Sequence, residues 1–229
     1  MADPRKFLYN SDYPIPSFVW TWEGEYTAPS STGYFEYTIP HGLPFTPLVI
    51  GYYSMSLYPD RIYNFGQLDS DVLIWPVLAV ADRQNVKIQG AQRGSASSTK
   101  FKISLGAFAP PEFEGNTPFT KDITNFSFNS DYDYPKLFMA GRKTLTDNKA
   151  IIRHALGYIP KTRVWVERAD GTIGMTTLFN EFATGDLSHY SQNYVETDIE
   201  NLSAGLTYSR VFGISLAEPL AIYYHIYLN

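Results

Sequence analysis

Two histidines are the first residues to test for chemistry. His41 sits in His41-Gly42-Leu43-Pro44-Phe45-Thr46-Pro47, and His154 in His154-Ala155-Leu156-Gly157-Tyr158-Ile159-Pro160. Imidazole changes charge near neutrality, so each is a candidate for ligand contact or pH sensing. No Ser or Asp accompanies either in a triad-like pattern. His189 and His225 lack a partner at metal-ligand spacing. A His-x-Leu-x-x-x-Pro pattern written twice, each time before an apolar run, points instead to a ring nitrogen that bonds backbone and holds a turn shut. On that reading His41, Leu43, Pro47, His154, Leu156 and Pro160 are structural turn residues.

The acids allow a second kind of chemistry. Asn10-Ser11-Asp12-Tyr13 and Asn129-Ser130-Asp131-Tyr132-Asp133 offer oxygens to Ca²⁺ but lack the regular spacing and bidentate Glu of an EF-hand loop. They read better as Asx-type turns, as do Asp82 with Asn85 and Asp198 with Asn201. A glycosidase needs two carboxylates a few ångströms apart, and nothing in the sequence singles out a pair. We therefore expect no catalytic residues, no metal and no cofactor. The aromatics are the strongest binding lead. Trp20 and Trp22 share one face of a strand by its period of two, where they can stack on a sugar ring or fill a core. The adjacent pairs Tyr52-Tyr53 and Tyr223-Tyr224 carry the same ambiguity.

The elements that position these residues repeat. The histidine motifs are offset by 154 − 41 = 113 residues. Asn-Ser-Asp-Tyr recurs at 129 − 10 = 119, and Asp82-Arg83-Gln84-Asn85-Val86 is echoed by Asp198-Ile199-Glu200-Asn201-Leu202 at 198 − 82 = 116. Three anchors in one order, with offsets differing by loop-sized amounts, describe one domain-sized unit written twice. Alternating runs at Gly33–Ile39, Phe101–Leu105 and Ala221–Leu228 predict strands, and Pro47 and Pro160 stand where strands begin. The run from Leu48 to Tyr53 is apolar on both faces, whereas Val164 and Val166 alternate with polar neighbours. Residues 54–71 read as a long loop, and Thr177–Ala183 as one or two helical turns. Ala109-Pro110-Pro111-Glu112-Phe113-Glu114-Gly115-Asn116-Thr117-Pro118 reads as a linker. The expected fold is all-β, with two tandem antiparallel β-sandwich domains related by internal duplication, one over residues 1–112 and one over 119–229.

Composition narrows the function classes. With 229 residues there is enough chain for two modest cores. The net charge of −5 and the lack of a basic cluster argue against nucleic-acid binding. Zero cysteines exclude a disulfide framework and a thiol nucleophile. No run is long and apolar enough for a membrane helix, and the first residues lack the apolar core of a signal peptide. We expect folding in a cytoplasm.

The stretch Phe128-Asn129-Ser130-Asp131-Tyr132, followed by Ile152 through Trp165, resembles a pattern in bacteriophage and prophage virion proteins, mostly small tail-associated or minor structural components. The first half matches less well, with Pro40, Pro44 and Tyr52 where the second has Arg153, Gly157 and Trp165. The resemblance implies a non-enzymatic structural protein, assembled in a host cytoplasm into a virion and partnered by other virion proteins and further copies of itself. A looser resemblance to H-type lectin sandwiches implies a carbohydrate- or host-receptor-binding module as the alternative, with Trp20 and Trp22 as platforms for a host surface glycan.

Overall fold

The computed structural model describes residues 18–29, 33–65, 77–92, 98–111, 136–175, 194–206, 210–211, 214–215 and 217–228. Both Asn-Ser-Asp-Tyr motifs, the proposed helical turns at 177–183 and linker residues 112–118 lie outside these. Among the described residues the chain is all-β, with no α-helix. Strands β1 (Trp20–Thr27), β2 (Gly33–Pro40), β3 (Leu48–Met55), β4 (Tyr58–Asn64), β5 (Leu78–Ala81), β6 (Asn85–Gln92) and β7 (Lys100–Phe108) make the first unit. Strands β8 (Lys136–Thr144), β9 (Lys149–Arg153), β10 (Lys161–Arg168), β11 (Ile173–Met175), β12 (Tyr194–Thr197), β13 (Asn201–Gly205), β14 (Arg210–Val211), β15 (Ile214–Ser215) and β16 (Pro219–Leu228) make the second.

The two units share a strand order. In the first, β1-β7-β3-β4 form one sheet and β2-β6-β5 the facing one. In the second, β8-β16-β10-β11 and β9-β13-β12 repeat that arrangement, with the small β14–β15 hairpin added. Each unit is a sandwich with its own core. Phe35, Ile39, Val86 and Ile88 of one sheet meet Val49, Tyr53, Phe101 and Ile103 of the other. Ile152, Leu202 and Ala204 likewise meet Val164, Val166, Ile222 and Ile226. Burying each such side chain contributes roughly 1.5–3 kcal/mol before the entropy of ordering is set against it.

The sheets do not stop at the unit boundary. β5 pairs with β11, aligning Ala81 with Ile173 and Val80 with Gly174, so one seven-stranded sheet runs β2-β6-β5-β11-β10-β16-β8 through both units. A third apolar cluster, Leu48, Phe108, Trp165, Ile173 and Tyr223, seals the junction. Three features depart from the sequence reading, the last two because of this seam. The stretch read as a long loop at 54–71 contains β4, a sheet-edge strand where Pro59 is tolerated. β10 has no wet face at its centre. Val164 and Val166 face their own core, and Trp165 between them is covered by the first unit. Conversely, β3 is buried on both faces at Leu48 and Val49 but exposes Tyr52, because the second unit covers only one end of it.

Candidate functional site

The histidine turns are built alike. In the first, the Leu43 N–H donates to His41 Nδ1 at 3.0 Å and Nε2 donates to the Asp82 carbonyl at 3.0 Å, so the Nε2–H tautomer satisfies both contacts. The His41 N–H donates to the Gln84 carbonyl, and the Trp20 ring meets the imidazole edge-on at 6.5 Å. In the second, the Leu156 N–H donates to His154 Nδ1 at 3.3 Å and the His154 N–H to the Glu200 carbonyl. His154 Nε2 is buried with no hydrogen-bond partner among the described residues. Pro47 and Pro160 each sit directly before the strand that follows, β3 and β10.

Each turn rests on an Asx loop. Asp82 Oδ1 accepts the N–H groups of Gln84 and Asn85, both at 2.8 Å, and Asp198 Oδ1 accepts those of Glu200 and Asn201, both at 2.6 Å. For Asp82, burial works to raise the pKa, but those backbone donors and Lys87 outweigh it and hold the carboxyl below its ordinary value. The backbone N–H of Glu200, then that of Asn201, depress Asp198 in the same way.

Trp20 and Trp22 lie on the inward, half-buried face of β1, packed against the first core. Trp22 meets the Tyr37 ring at 5.9 Å, so both indoles spend much of their surface inside the sandwich. A groove that the sequence reading did not single out, with a volume of about 550 Å³, opens on this sheet, and Trp22 is among the residues that line it. Phe18 and Tyr52, each about half exposed, line it, together with Thr21, Glu23, Ile50 and Ser104. Ser104 Oγ donates to Glu23 Oε1 at 3.2 Å. Gly106 makes room for Phe18, whose ring would stand 2.5 Å from a Cβ at that position. An exposed phenylalanine on a pocket wall has no period of its own, so no sequence signal marked it.

A second cleft, of about 510 Å³, lies where the units meet and is lined in part by Asp82, Glu167 and Asp170. All three carboxylates already hold contacts. Asp82 binds its Asx loop, Glu167 pairs with Arg142 at 2.6 Å, and Asp170 accepts Thr172 Oγ1 at 2.7 Å. No group of three or more His, Cys, Asp or Glu among the described residues is arranged to hold a metal ion.

Behind the cleft, the seam contains two buried bases. Burial, then the nearby Arg163 guanidinium, pushes His225 down to about 4. Its Nδ1 lies 3.1 Å from Tyr227 Oη, and its ring packs edge-on against Trp165 at 5.0 Å and Phe108 at 5.4 Å. Burial also lowers Arg168, against the opposing pull of Asp170. The Trp165 Nε1–H donates across the seam to the Val49 carbonyl at 2.8 Å. No protein family, curated protein or solved structure matches this chain.

Proposed function

We propose that the chain is a structural, non-enzymatic component of a phage-like virion, tail-associated or minor, that assembles through the faces of its sandwiches, and that its two units are copies of one ancestral sandwich. The observation that carries this reading is the seam. Two units of one strand order are joined by an edge-strand pair and a buried tryptophan, a packing device in which the polar groups serve the fold. The carboxylates that line the inter-unit cleft each hold a contact within a turn or an ion pair, which supports a packing role. The test is to purify particles on a density gradient from cells that express the chain from its native locus and to quantify it by mass spectrometry. Co-sedimentation with particles at fixed stoichiometry is expected; absence from every particle fraction would overturn the reading.

A second reading, a carbohydrate- or host-receptor-binding module, is favoured by the groove beside Phe18 and Tyr52. There an exposed aromatic on either side and the Ser104–Glu23 pair offer the stacking and hydrogen-bonding surfaces that a sugar ring uses. A glycan array on the full chain tests it. Binding lost in Tyr52→Ala supports the groove, and binding unaffected by that change removes it.

A further inference from the structure

The contact between the two units is heterologous: each contributes a different surface. The first unit gives the edge of β5 and the ends of β3 and β7, with Leu48, Phe108 and the Val49 carbonyl. The second gives the edge of β11 and the outer face of its large sheet, with Trp165, Tyr223 and His225. Two like units joined this way leave one half of the contact unused at each end of the chain.

Strand register identifies the unused halves. Tyr52 faces Ser104 as Trp165 faces Tyr223, so Tyr52 occupies in the first unit the place of Trp165 in the second. Tyr53 pairs with Tyr63 as Val166 pairs with Gly174, which puts Ile62 in the place of Ile173. Where the second unit is covered, Trp165 is 0% and Ile173 4% exposed. In the first unit, Tyr52 is 49% and Ile62 72% exposed. The groove beside Tyr52 is thus the open counterpart of the surface that Phe108 and Leu48 cover in the second unit. β4, the counterpart of β11, lies at a sheet edge. At the other end of the chain β12, the counterpart of β5, is also at a sheet edge. Beside it Ile199, 53% exposed, stands where the first unit has Arg83. Strand edges that no other described strand covers, and exposed isoleucines, are surfaces that soluble proteins usually protect.

We propose that the occupant is a second copy of this chain. The β12 edge of one copy pairs with the β4 edge of the next and repeats between chains the β5–β11 contact within each. Because the contact is heterologous, it propagates head to tail into a ring or a filament. The inference rests on the assembly reading above and specifies its geometry. Ala81 opposite Ile173 becomes Thr197 opposite Ile62, and Val80 opposite Gly174 becomes Glu196 opposite Tyr63. The observation behind the choice of occupant is that the face and strand edge in the same register positions of the second unit are already covered by the first unit in the same molecule.

The chain has no cysteine, so the register can be tested by crosslinking. Directly opposed residues in an antiparallel pair have Cα atoms about 4.5–5.5 Å apart, within disulfide reach. Full-length Ile62→Cys/Thr197→Cys, mildly oxidised, is expected to give a ladder of covalent multimers or one closed ring. An equal mixture of the two single variants is expected to stop at dimers, because each copy then carries only one half of the contact. Adding Tyr52→Glu to the double variant should abolish the ladder, with the circular dichroism spectrum unchanged. A wild-type chain that sediments as a monomer at every concentration, or multimers that the 62–197 pair fails to link, would overturn the proposal. So would a dimer formed by Ile62→Cys alone, which is the mark of an isologous contact. The virion reading is judged separately, by the gradient experiment, and a chain that joins particles through other proteins would pass that test while failing this one.

Discussion

The first unit adds a set of aromatic rings to its aliphatic core, whereas the buried residues of the second core are aliphatic throughout. Tyr26, Phe35, Tyr53, Tyr63, Phe65 and Phe101 pack ring against ring in one. Ile152, Val164, Val166, Leu202, Ile222 and Ile226 do the equivalent work in the other. One pair shows how a single backbone accepts both. Trp22 is opposite Leu105 across β1 and β7, and Gly141 is opposite Tyr224 across β8 and β16. In the second pair the large residue stands on the other strand: a Cβ on Gly141 would stand 2.5 Å from the Tyr224 hydroxyl. Cores accept such exchanges when the total volume is kept. Topology is therefore set by turns, register and the pattern of burial, and the filling is negotiable. The same comparison accounts for Trp22, a packing residue whose counterpart on β8 is a glycine.

The contrast is tested most severely at the seam. Trp165→Ala should cost about 3–5 kcal/mol, by cavity formation and by leaving the Val49 carbonyl without its donor. Tyr52→Ala, at the matching position of the first unit, should stay within about 0.5 kcal/mol in dilute monomer. Urea denaturation of both variants measures the difference, and similar losses would mean that the two positions are not related as described.

His225 should make the seam acid-sensitive. The unfolded chain takes up a proton near pH 6.5 that the folded chain accepts only at about 4. Stability should therefore fall as pH drops through that window, by up to about 3 kcal/mol. Asp82 and Asp198 are depressed carboxylates, so their contribution is present above their ordinary value of 3.8 and is lost only below it. Melting profiles of His225→Phe between pH 7 and 4 should be flatter than those of the parent chain, and a parallel profile would exclude this assignment.

Smaller effects separate the two histidine turns. Gly42 has φ 67° and its counterpart Ala155 has φ 52°, a left-handed conformation that costs a side chain about 1–2 kcal/mol. Ala155→Gly should raise stability by about 1 kcal/mol and Gly42→Ala should lower it by a similar amount, as read from paired thermal melts. Of similar size is the difference between His41→Ala and His154→Ala. The first removes two hydrogen bonds and the second one longer bond and an orphaned nitrogen, so His41→Ala should cost about 1 kcal/mol more.

The features legible in the sequence were local. The His-x-Leu-x-x-x-Pro turns, the Asp-x-x-Asn loops beneath them and the alternation in β7 and β16 all depend on residues close in the chain, and they suffice for the all-β class. The seam was not legible, because pairing β5 with β11 joins residues 92 apart (173 − 81), and no periodicity encodes a partner. Trp165 shares its strand face with Arg163 and Glu167 and so reads as part of the wet side, until a second unit covers it. β4 contains Pro59, Asp60 and Arg61 and looks like loop, because an edge strand needs only one partner. The groove at Tyr52 went unseen for a related reason: it is defined by a neighbour that the second unit has and the first lacks.

The Trp165 indole N–H reports most directly on whether two like units are locked by one asymmetric contact, since its donor belongs to one unit and its acceptor to the other. Its hydrogen exchange can be followed by NMR at neutral pH, with the resonance identified by its loss in Trp165→Phe. Exchange only on global unfolding, at the rate of the most protected core amides, is the expected result. Exchange as fast as that of an exposed indole, with both sandwich cores still protected, would show that the units are not joined through this face.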